Sequence, residues 1–282
     1  MRSRSSRRRA DDAVPNPLTN PLTPLLPFVL AVCLGALRWM PALILVPIFA
    51  PQALSRIARM AVALALALPI APDLLPTIEA GAPSVALMLC LAAKECAVGL
   101  LLATVLAMPF WAVEAAGTCL DYQRGANPQA LDPAASPDAS LFGALFKHAS
   151  CVYLIHAGAF HAIVTVIYAS FAIWPPLAWL PVPDSGAWTA ASPLLSAIMR
   201  LAVLLALPYL LALVLIEGCF AVLSRAAPRF PAYVAALPFK SVVIVLIVAL
   251  SLPALFEALT QATLAHAQAA MALLDRMRLP RP

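Results

Sequence analysis

Charged residues are scarce in this chain of 282 residues. Lysine, arginine, aspartate and glutamate together make up 11% of it, and hydrophobic residues make up 63%. Soluble domains carry about 25% charged and roughly 45–50% apolar residues, and a single core of this size could not bury so much apolar surface. Lipid, or a large assembly that takes its place, must cover the remainder. The composition therefore excludes a water-soluble globular domain.

The motifs of catalysis and metal binding are also missing from the sequence. No G-x-S-x-G motif offers a nucleophilic serine, and His156 and His161 do not have the i, i+4 spacing of an H-E-x-x-H zinc helix. The six cysteines form no C-x-x-C pair and lie in or beside apolar segments, which is typical of small buried side chains. The sequence predicts no enzyme activity, no cofactor and no metal site. Its dispersed basic residues predict no nucleic-acid partner.

The chain consists mainly of long apolar segments. Lipid permits only helices or closed barrels, because every backbone polar group must be paired within the protein. Barrel strands would show short alternating runs of about ten residues, so the unbroken runs predict an all-α polytopic membrane protein. A run of about 20 residues is enough for one crossing. The six predicted segments are Phe28–Ala50, Met60–Leu75, Val85–Met108, Leu141–Trp174, Leu194–Leu223 and Ser241–Ala262.

These segments form one predicted membrane domain, from residue 28 to residue 262. Residues 1–27 are rich in arginine and proline and are predicted to be a disordered leader, and residues 263–282 form a short basic tail. A polar connection is predicted over Gly117–Ser140, and a proline-rich one over Pro175–Pro193. The chain has 28 prolines, several of them inside apolar runs, which predicts kinked helices that pack on protein.

The distribution of positive charge gives contradictory predictions of membrane topology. If all six segments cross, the two tails place eight arginines on one side, whereas the loops place six basic residues on the other side. The positive-inside rule cannot favour both orientations. We therefore expect some segments to be hairpins that do not cross, or the chain to depart from an ordinary six-span bundle. Cysteine-accessibility mapping that gave six clean crossings would contradict this expectation.

Several ionisable residues interrupt the apolar segments. An ionised side chain at the bilayer centre costs roughly 2.5–3.5 kcal/mol on insertion scales. For those near segment ends (Lys147, Arg200 and Glu257), snorkelling or pairing between helices is the simpler interpretation. Two interpretations stay open for the others: pairing between helices, or a polar seam that faces partner subunits or an aqueous path. These others are Arg38, Lys94, Glu95 and Glu217.

Residues 109–126 combine polar, aromatic and small residues in one stretch. A helix would place five of them on one stripe, at spacings of i, i+4, i+7, i+11 and i+14. Asp121 and Arg124 could pair at i, i+3, and Gly117 would let another backbone approach closely. Gly125 suits a helix C-terminus. The stripe favours a protein–protein or water-facing surface, with an amphipathic helix at the membrane interface as the alternative. Its residues are Phe110, Glu114, Gly117, Asp121 and Arg124.

A family resemblance is carried by the same stretch and by a second one. The first pattern consists of Lys94-Glu95, Gly99, the run from Pro109 to Gly117, and Asp121-x-Gln123-Arg124-Gly125-Ala126. The second consists of Arg225-x-x-Pro228 and Pro238-x-Lys240-Ser241, and Arg38 and Pro47 precede both. In these patterns the chain resembles the FliR/SctT (YscT, HrcT, SpaR) family of type III secretion export-apparatus membrane proteins. The resemblance covers roughly residues 28–260 and leaves the arginine-rich leader unaccounted for.

The resemblance implies a core subunit of an export gate in the bacterial inner membrane. Such subunits assemble with FliP/SctR-, FliQ/SctS- and FlhB/SctU-type membrane subunits as tilted helical hairpins in a larger helical assembly. Together they line and close a conduit for unfolded secreted proteins. The resemblance implies apolar channel closure by Phe110 and Trp111, and subunit contacts or a polar seam at Arg38, Lys94, Glu95, Glu114, Gly117, Asp121, Gln123, Arg124, Gly125, Glu217, Arg225, Pro228 and Lys240. A small multi-pass solute transporter that uses the same charges is the alternative.

Overall fold

The computed structural model describes residues 25–49, 54–81, 84–125, 140–178, 185–227, 229 and 231–276. Most of the predicted leader and the last six residues of the predicted tail lie outside these ranges. Within them all regular structure is helical, which confirms the all-α prediction. The eight α-helices of the described residues are α1 (Leu25–Leu45), α2 (Arg56–Ala67), α3 (Ala71–Ala80), α4 (Val85–Gln123), α5 (Leu141–His156), α6 (Ala159–Ile173), α7 (Ser185–Ala226) and α8 (Ala232–Arg276).

Five stretches of the described chain are long and apolar enough to cross a membrane, and α2 and α3 together form one of them. The number becomes six if the bent pair α5–α6 is one broken span. This agrees with the prediction of about six long helices in a multi-pass membrane protein. Helices α4 and α8 have 39 and 45 residues. At about 1.5 Å per residue they measure about 58 and 68 Å, roughly twice the hydrocarbon thickness of ~30 Å.

Serines and prolines set several of the helix ends. The hydroxyls of Ser55, Ser84 and Ser140 accept hydrogen bonds from backbone N–H groups in the first turns of α2, α4 and α5, which satisfies donors that have no partner within the helix. Two 3₁₀ turns, Pro47–Phe49 after α1 and Leu68–Ile70 between α2 and α3, each contain a proline. A proline lacks the N–H that a continuous α-helix needs.

Three predicted boundaries differ from the structure. Helix α4 continues through Pro109 to Gln123, so the first part of the predicted polar connection is helical. Helix α8 continues to Arg276, well into the predicted tail. The predicted fourth segment is broken at Gly158, whose φ of 85° is in the left-handed region that glycine adopts without strain. The helices on either side of this glycine make an angle of 76°.

Helix α4 lies at the centre of the molecule. It packs against α1, α5, α7 and α8, and α7 and α8 form a hairpin that packs on α4 and, through α8, on α6. The chain itself buries 61% of the apolar window of α4, but only 28% of that of α7 and 22% of that of α8. The outward faces of the hairpin are therefore available to lipid or to another protein.

Candidate functional site

The first polar cluster joins α1 to α4 through Arg38. Its Nε donates to Glu95 Oε2 at 2.7 Å, and its Nη2 donates to Glu95 Oε1 at 3.0 Å. Both side chains are completely buried. The planar guanidinium matches the two carboxylate oxygens, and such forked pairs are among the strongest hydrogen-bonded contacts in proteins. A buried charge in an apolar bundle is thereby neutralised by the chain itself.

The same guanidinium also attaches α6. Arg38 Nη1 donates to Ser170 Oγ at 3.0 Å, and Nη2 donates to the backbone oxygen of Trp174 at 2.8 Å. The ring of Phe171 lies under the guanidinium carbon, at 4.1 Å from its centroid. One side chain of α1 therefore fixes both α4 and the C-terminal end of α6.

Lys94 completes this cluster. Its Nζ lies 2.8 Å from Glu95 Oε1. It also lies within hydrogen-bond distance of the backbone oxygens of Pro176, Ala178 and Pro175, at 2.8, 2.9 and 3.2 Å. An ammonium group has three protons, so four close acceptors satisfy it fully. Lys94 thus holds the chain that leaves α6, as Arg38 holds its last turn.

A close approach of backbones accompanies the cluster. A Cβ atom on Gly99 would collide with the backbone oxygen of Arg38, so α1 and α4 can be this near only because residue 99 is glycine. On the other face of α1, Trp39 packs edge-on against Tyr168, with ring centroids 5.2 Å apart. The Tyr168 hydroxyl donates to the backbone oxygen of Leu66 at 2.8 Å. These contacts connect α1, α2, α4 and α6 into one packed unit.

The second polar cluster lies at the C-terminal end of α4. The predicted pair of Asp121 and Arg124 is present, with Nη2 and Oδ1 separated by 2.7 Å. Asp121 Oδ2 accepts a hydrogen bond from Ser140 Oγ at 2.6 Å and another from the backbone N–H of Phe142 at 2.8 Å. Asp121 therefore holds the first turn of α5 against α4, a role that the i, i+3 spacing alone did not predict.

Gly117 lies at the contact between these two helices. A Cβ on it would be 2.5 Å from the backbone oxygen of Phe142 and 2.7 Å from the backbone nitrogen of Gly143. The predicted close approach at Gly117 is therefore present in the structure. One turn earlier, Glu114 forms an ion pair with Lys147 of α5. The polar side of the 109–126 stretch faces α5 of the same chain.

The remaining residues of this stretch occupy different environments. Phe110 has no exposed surface, Trp111 is 38% exposed, and Gln123 lies on the surface. Gly125 follows the end of α4 with a φ of 84°, as expected for a glycine at a helix C-terminus. A Cβ on Gly125 would be 2.6 Å from Leu237 Cδ2, so the end of α4 lies against the beginning of α8.

The predicted residues of the second motif lie on the α7–α8 hairpin. Lys240 Nζ is 3.3 Å from Glu217 Oε2, and the lysine side chain is 6% exposed whereas the glutamate is 57% exposed. Arg225 lies in the last turn of α7, on the surface. Pro228 lies outside the described residues. The structure therefore brings two of the four predicted residues into contact.

The predicted polar residues thus form three separate groups. The Arg38 cluster consists of Arg38, Lys94 and Glu95, and the Asp121 cluster consists of Glu114, Gly117, Asp121 and Arg124; the third group is the Glu217–Lys240 pair. Of the two interpretations left open above, pairing between helices describes the Arg38 cluster. Sequence reasoning missed Ser170 as a partner, because nothing local marks a contact 132 residues away from Arg38. Ser140 could have been found as a helix N-cap before an apolar run.

No group of three or more His, Cys, Asp or Glu side chains that could hold a metal ion occurs among the described residues.

The fold and the polar clusters together define an α-helical multi-pass membrane protein with internally paired charges. Residues 29–265 match the family described as "Bacterial export proteins, family 1", and the chain belongs to this family.

Individual relatives agree with the family assignment. The Yop proteins translocation protein T of Yersinia pestis is 31% identical over 210 residues, which is 73% of this chain and 79% of the relative. The surface presentation of antigens protein SpaR of Salmonella typhimurium is 31% identical over 226 residues, or 79% and 82% of the two chains. The flagellar biosynthetic protein FliR of Bacillus subtilis is 28% identical over 165 residues, or 57% and 64%. These findings confirm the resemblance to the FliR/SctT family.

Proposed function

We propose that this protein is a core subunit of a type III secretion export gate in the bacterial inner membrane. The observation that supports the proposal most strongly is the family match over residues 29–265. The names of the relatives refer to translocation of Yop proteins and to surface presentation of antigens. The subunit carries out no catalysis in this proposal. It lines and closes a path for unfolded proteins.

The distribution of apolar surface supports a subunit within an assembly. Helices α7 and α8 leave most of their apolar windows uncovered, and helices α4 and α8 are about twice as long as the hydrocarbon core of a bilayer is thick. Helices of this length must tilt strongly or extend beyond the lipid, where only protein can cover apolar side chains. FliP/SctR-, FliQ/SctS- and FlhB/SctU-type membrane subunits are the partners in this proposal.

Channel closure is assigned to the aromatic pair in the middle of α4. Trp111 presents a surface, at 38% exposure, and Phe110 packs behind it with none. In this conformation Trp111 would form the apolar barrier, and Phe110 would fix the helix that carries it. The second cluster supports such a role, since Asp121 and Gly117 hold this half of α4 rigidly against α5.

Affinity purification of the tagged full chain from bacterial membranes tests the subunit proposal. We expect small membrane subunits of the same apparatus to co-purify, and deletion of the gene to abolish secretion of a type III substrate. The purified chain in liposomes should conduct no solute by itself. Solute flux by the chain alone, without co-purifying subunits, would instead support the alternative of a solute transporter.

A pair of variants tests the closure assignment. Trp111→Ala should increase leakage of small ions through the assembled gate, because it removes the exposed aromatic surface. Leu100→Ala is the matched control: Leu100 is 52% exposed and lies on the same face of α4, about 16 Å away at ~1.5 Å per residue. Equal leakage in both variants, or none in either, would contradict closure at Trp111.

A further inference from the structure

The α7–α8 hairpin contains a cavity that the proposed function does not use. Its volume is about 220 Å³, and Glu217, Phe220, Ser224, Ala236, Leu237 and Lys240 are among its lining residues. A water molecule occupies ~30 Å³, so the cavity has room for a group much larger than one water. Its lining includes Ser224 and Ala232, so it extends to the connection between the helices, where Arg225 and Arg229 lie on the surface.

Lys240 is the buried charge of this cavity, and it is poorly neutralised. Its side chain is 6% exposed, and among the described residues it forms an ion pair with Glu217, at a separation of 3.3 Å. A buried ammonium needs acceptors for its three protons. Glu217 is 57% exposed, so it does not enclose the ammonium group, and the cavity beside it has room for a second anionic partner.

An apolar groove adjoins the cavity on the far side of Phe220. It is lined by Leu215, Ile216, Cys219, Phe220, Leu223 and Phe239. Phe220 lines both spaces. Its ring meets that of Phe239 edge to face, with centroids 5.8 Å apart. Leu215 is 70% exposed and Phe239 52%, so the groove lies open along the outer surface of the hairpin.

Charge and shape together select the class of ligand. Lys240 and Glu217 are the charged residues among those that line the cavity. The exposed Arg225 and Arg229 lie between the lining residues Ser224 and Ala232 in sequence, so the stretch from residue 217 to residue 240 carries three positive charges against the one negative charge of Glu217. Lys240 lies eight residues after the start of α8, about 12 Å along the helix, a depth from which a lysine stem reaches towards the membrane interface. A cationic pocket beside a hydrocarbon groove matches a phospholipid with a net negative headgroup.

We propose that this hairpin binds one anionic phospholipid, with its phosphate at Lys240 and an acyl chain in the apolar groove. Glu217 and the phosphate would then share the ammonium group. A zwitterionic lipid would bring its own cation towards the arginines, so the site should discriminate against it. This binding is a property of the isolated chain and does not depend on the gate function proposed above.

Native mass spectrometry of the purified full chain tests the proposal. The chain is prepared in nanodiscs of equal parts phosphatidylglycerol and phosphatidylcholine and then transferred to detergent. We expect wild-type protein to retain phosphatidylglycerol and to lose phosphatidylcholine. Lys240→Gln should reduce the retained phosphatidylglycerol several-fold, and Glu217→Gln should retain at least as much as wild type because it removes the competing carboxylate. Arg56→Gln, which removes an exposed charge from the start of α2, is the matched control.

Four outcomes would overturn the proposal. The first is equal retention of the two lipids by wild type. The second is equal loss of phosphatidylglycerol in Arg56→Gln and Lys240→Gln, which would reflect general charge attraction. The third is a Lys240→Gln protein that loses thermal stability equally in either lipid and keeps its bound phosphatidylglycerol, which would make Lys240 a structural residue only. Unchanged lipid retention with loss of a co-purifying subunit would assign the cavity to a protein partner instead.

Discussion

Lys94 and Lys240 are both buried lysines within apolar helices, yet their surroundings differ. Lys94 Nζ has three backbone oxygens and a carboxylate oxygen within 3.2 Å. Lys240 Nζ has one carboxylate oxygen, at 3.3 Å, from a glutamate that is itself half exposed. A satisfied buried charge specifies structure, whereas one with too few partners costs free energy unless a ligand or partner joins it. The comparison separates a structural cluster from a candidate binding site.

The same contrast extends to the helices that carry the two lysines. In the unit of α1, α4, α5 and α6, glycines allow backbones to touch, as at Gly99 and Gly117. On the hairpin, a Cβ on Gly218 would meet nothing within 4 Å. The helices of the first unit are in close backbone contact with one another, whereas the hairpin has an outward surface without such contacts. Changes in the first unit should therefore affect folding, and changes on the hairpin should affect binding.

Glu95→Ala should have the largest effect on folding. Its carboxylate pairs with both Arg38 and Lys94, and removal of one partner from a buried ion pair typically costs about 3–5 kcal/mol. We expect the variant to accumulate poorly in membranes and to lose most of its thermal stability in detergent. Glu79→Ala, at an exposed glutamate of α3, is the control and should behave as wild type. Equal stability of the two variants would show that the Arg38 cluster does not hold the helices together.

Gly117→Ala tests the close contact between α4 and α5, in comparison with the open position of Gly218 on the hairpin. The added methyl group would meet the backbone of Phe142 and Gly143 at 2.5–2.7 Å, and such overpacking costs about 1–3 kcal/mol. The matched variant is Gly218→Ala, where the methyl group meets open space and removal of a mid-helix glycine favours the helix by up to ~1 kcal/mol. Thermal unfolding of both purified variants should shift in opposite directions. A shift in the same direction would contradict the assignment of Gly117 to a backbone contact.

The local part of the second cluster was predictable from the sequence, and its distant part was not. The spacing of Asp121 and Arg124 predicted their pair, and Gly125 predicted the helix end, because both depend on helix geometry within a few residues. The partners of Asp121 in α5 come from 19 and 21 residues further along the chain. No periodicity specifies such a contact.

The contacts of the Arg38 cluster were even less predictable from the sequence. The apolar composition indicated that Arg38, Lys94 and Glu95 needed partners. It could not show whether those partners lie in this chain or in another subunit. Which partners they have depends on how the chain after α6 folds back, since its backbone oxygens accept hydrogen bonds from Arg38 and Lys94.

The predicted end of α4 was wrong for a related reason. Pro109 and the polar residues after it suggested a break, but packing against α5 supports the helix as far as Gln123.

Arg124→Glu should have an intermediate effect on the end of α4. It places two carboxylates at i, i+3, where Asp121 now pairs with a cation, and it removes the guanidinium from its position over the Phe142 ring, 5.0 Å from the ring centroid. We expect expression near the wild-type level and reduced secretion in a complementation assay, because the first turn of α5 loses its fixed position. Arg124→Lys keeps the charge and should retain part of the activity. Normal secretion by Arg124→Glu would argue against a role for this cluster.

Lys240→Gln should have the smallest effect on folding. Its ion pair is with Glu217, which is 57% exposed, so solvent screens the pair and its loss costs little. The change to glutamine also removes a charge that is costly to bury, which offsets part of this loss. Lys94→Gln is the opposite case, because it leaves Glu95 and three backbone oxygens with too few donors, at about 1–3 kcal/mol for each unsatisfied group. We expect Lys94→Gln to unfold at a lower temperature in any lipid. Lys240→Gln should differ from wild type only where phosphatidylglycerol is present, because only there does wild type gain stability from the bound lipid. Similar melting curves for the two variants would remove the distinction between these lysines, and with it the reason to assign a ligand to the hairpin.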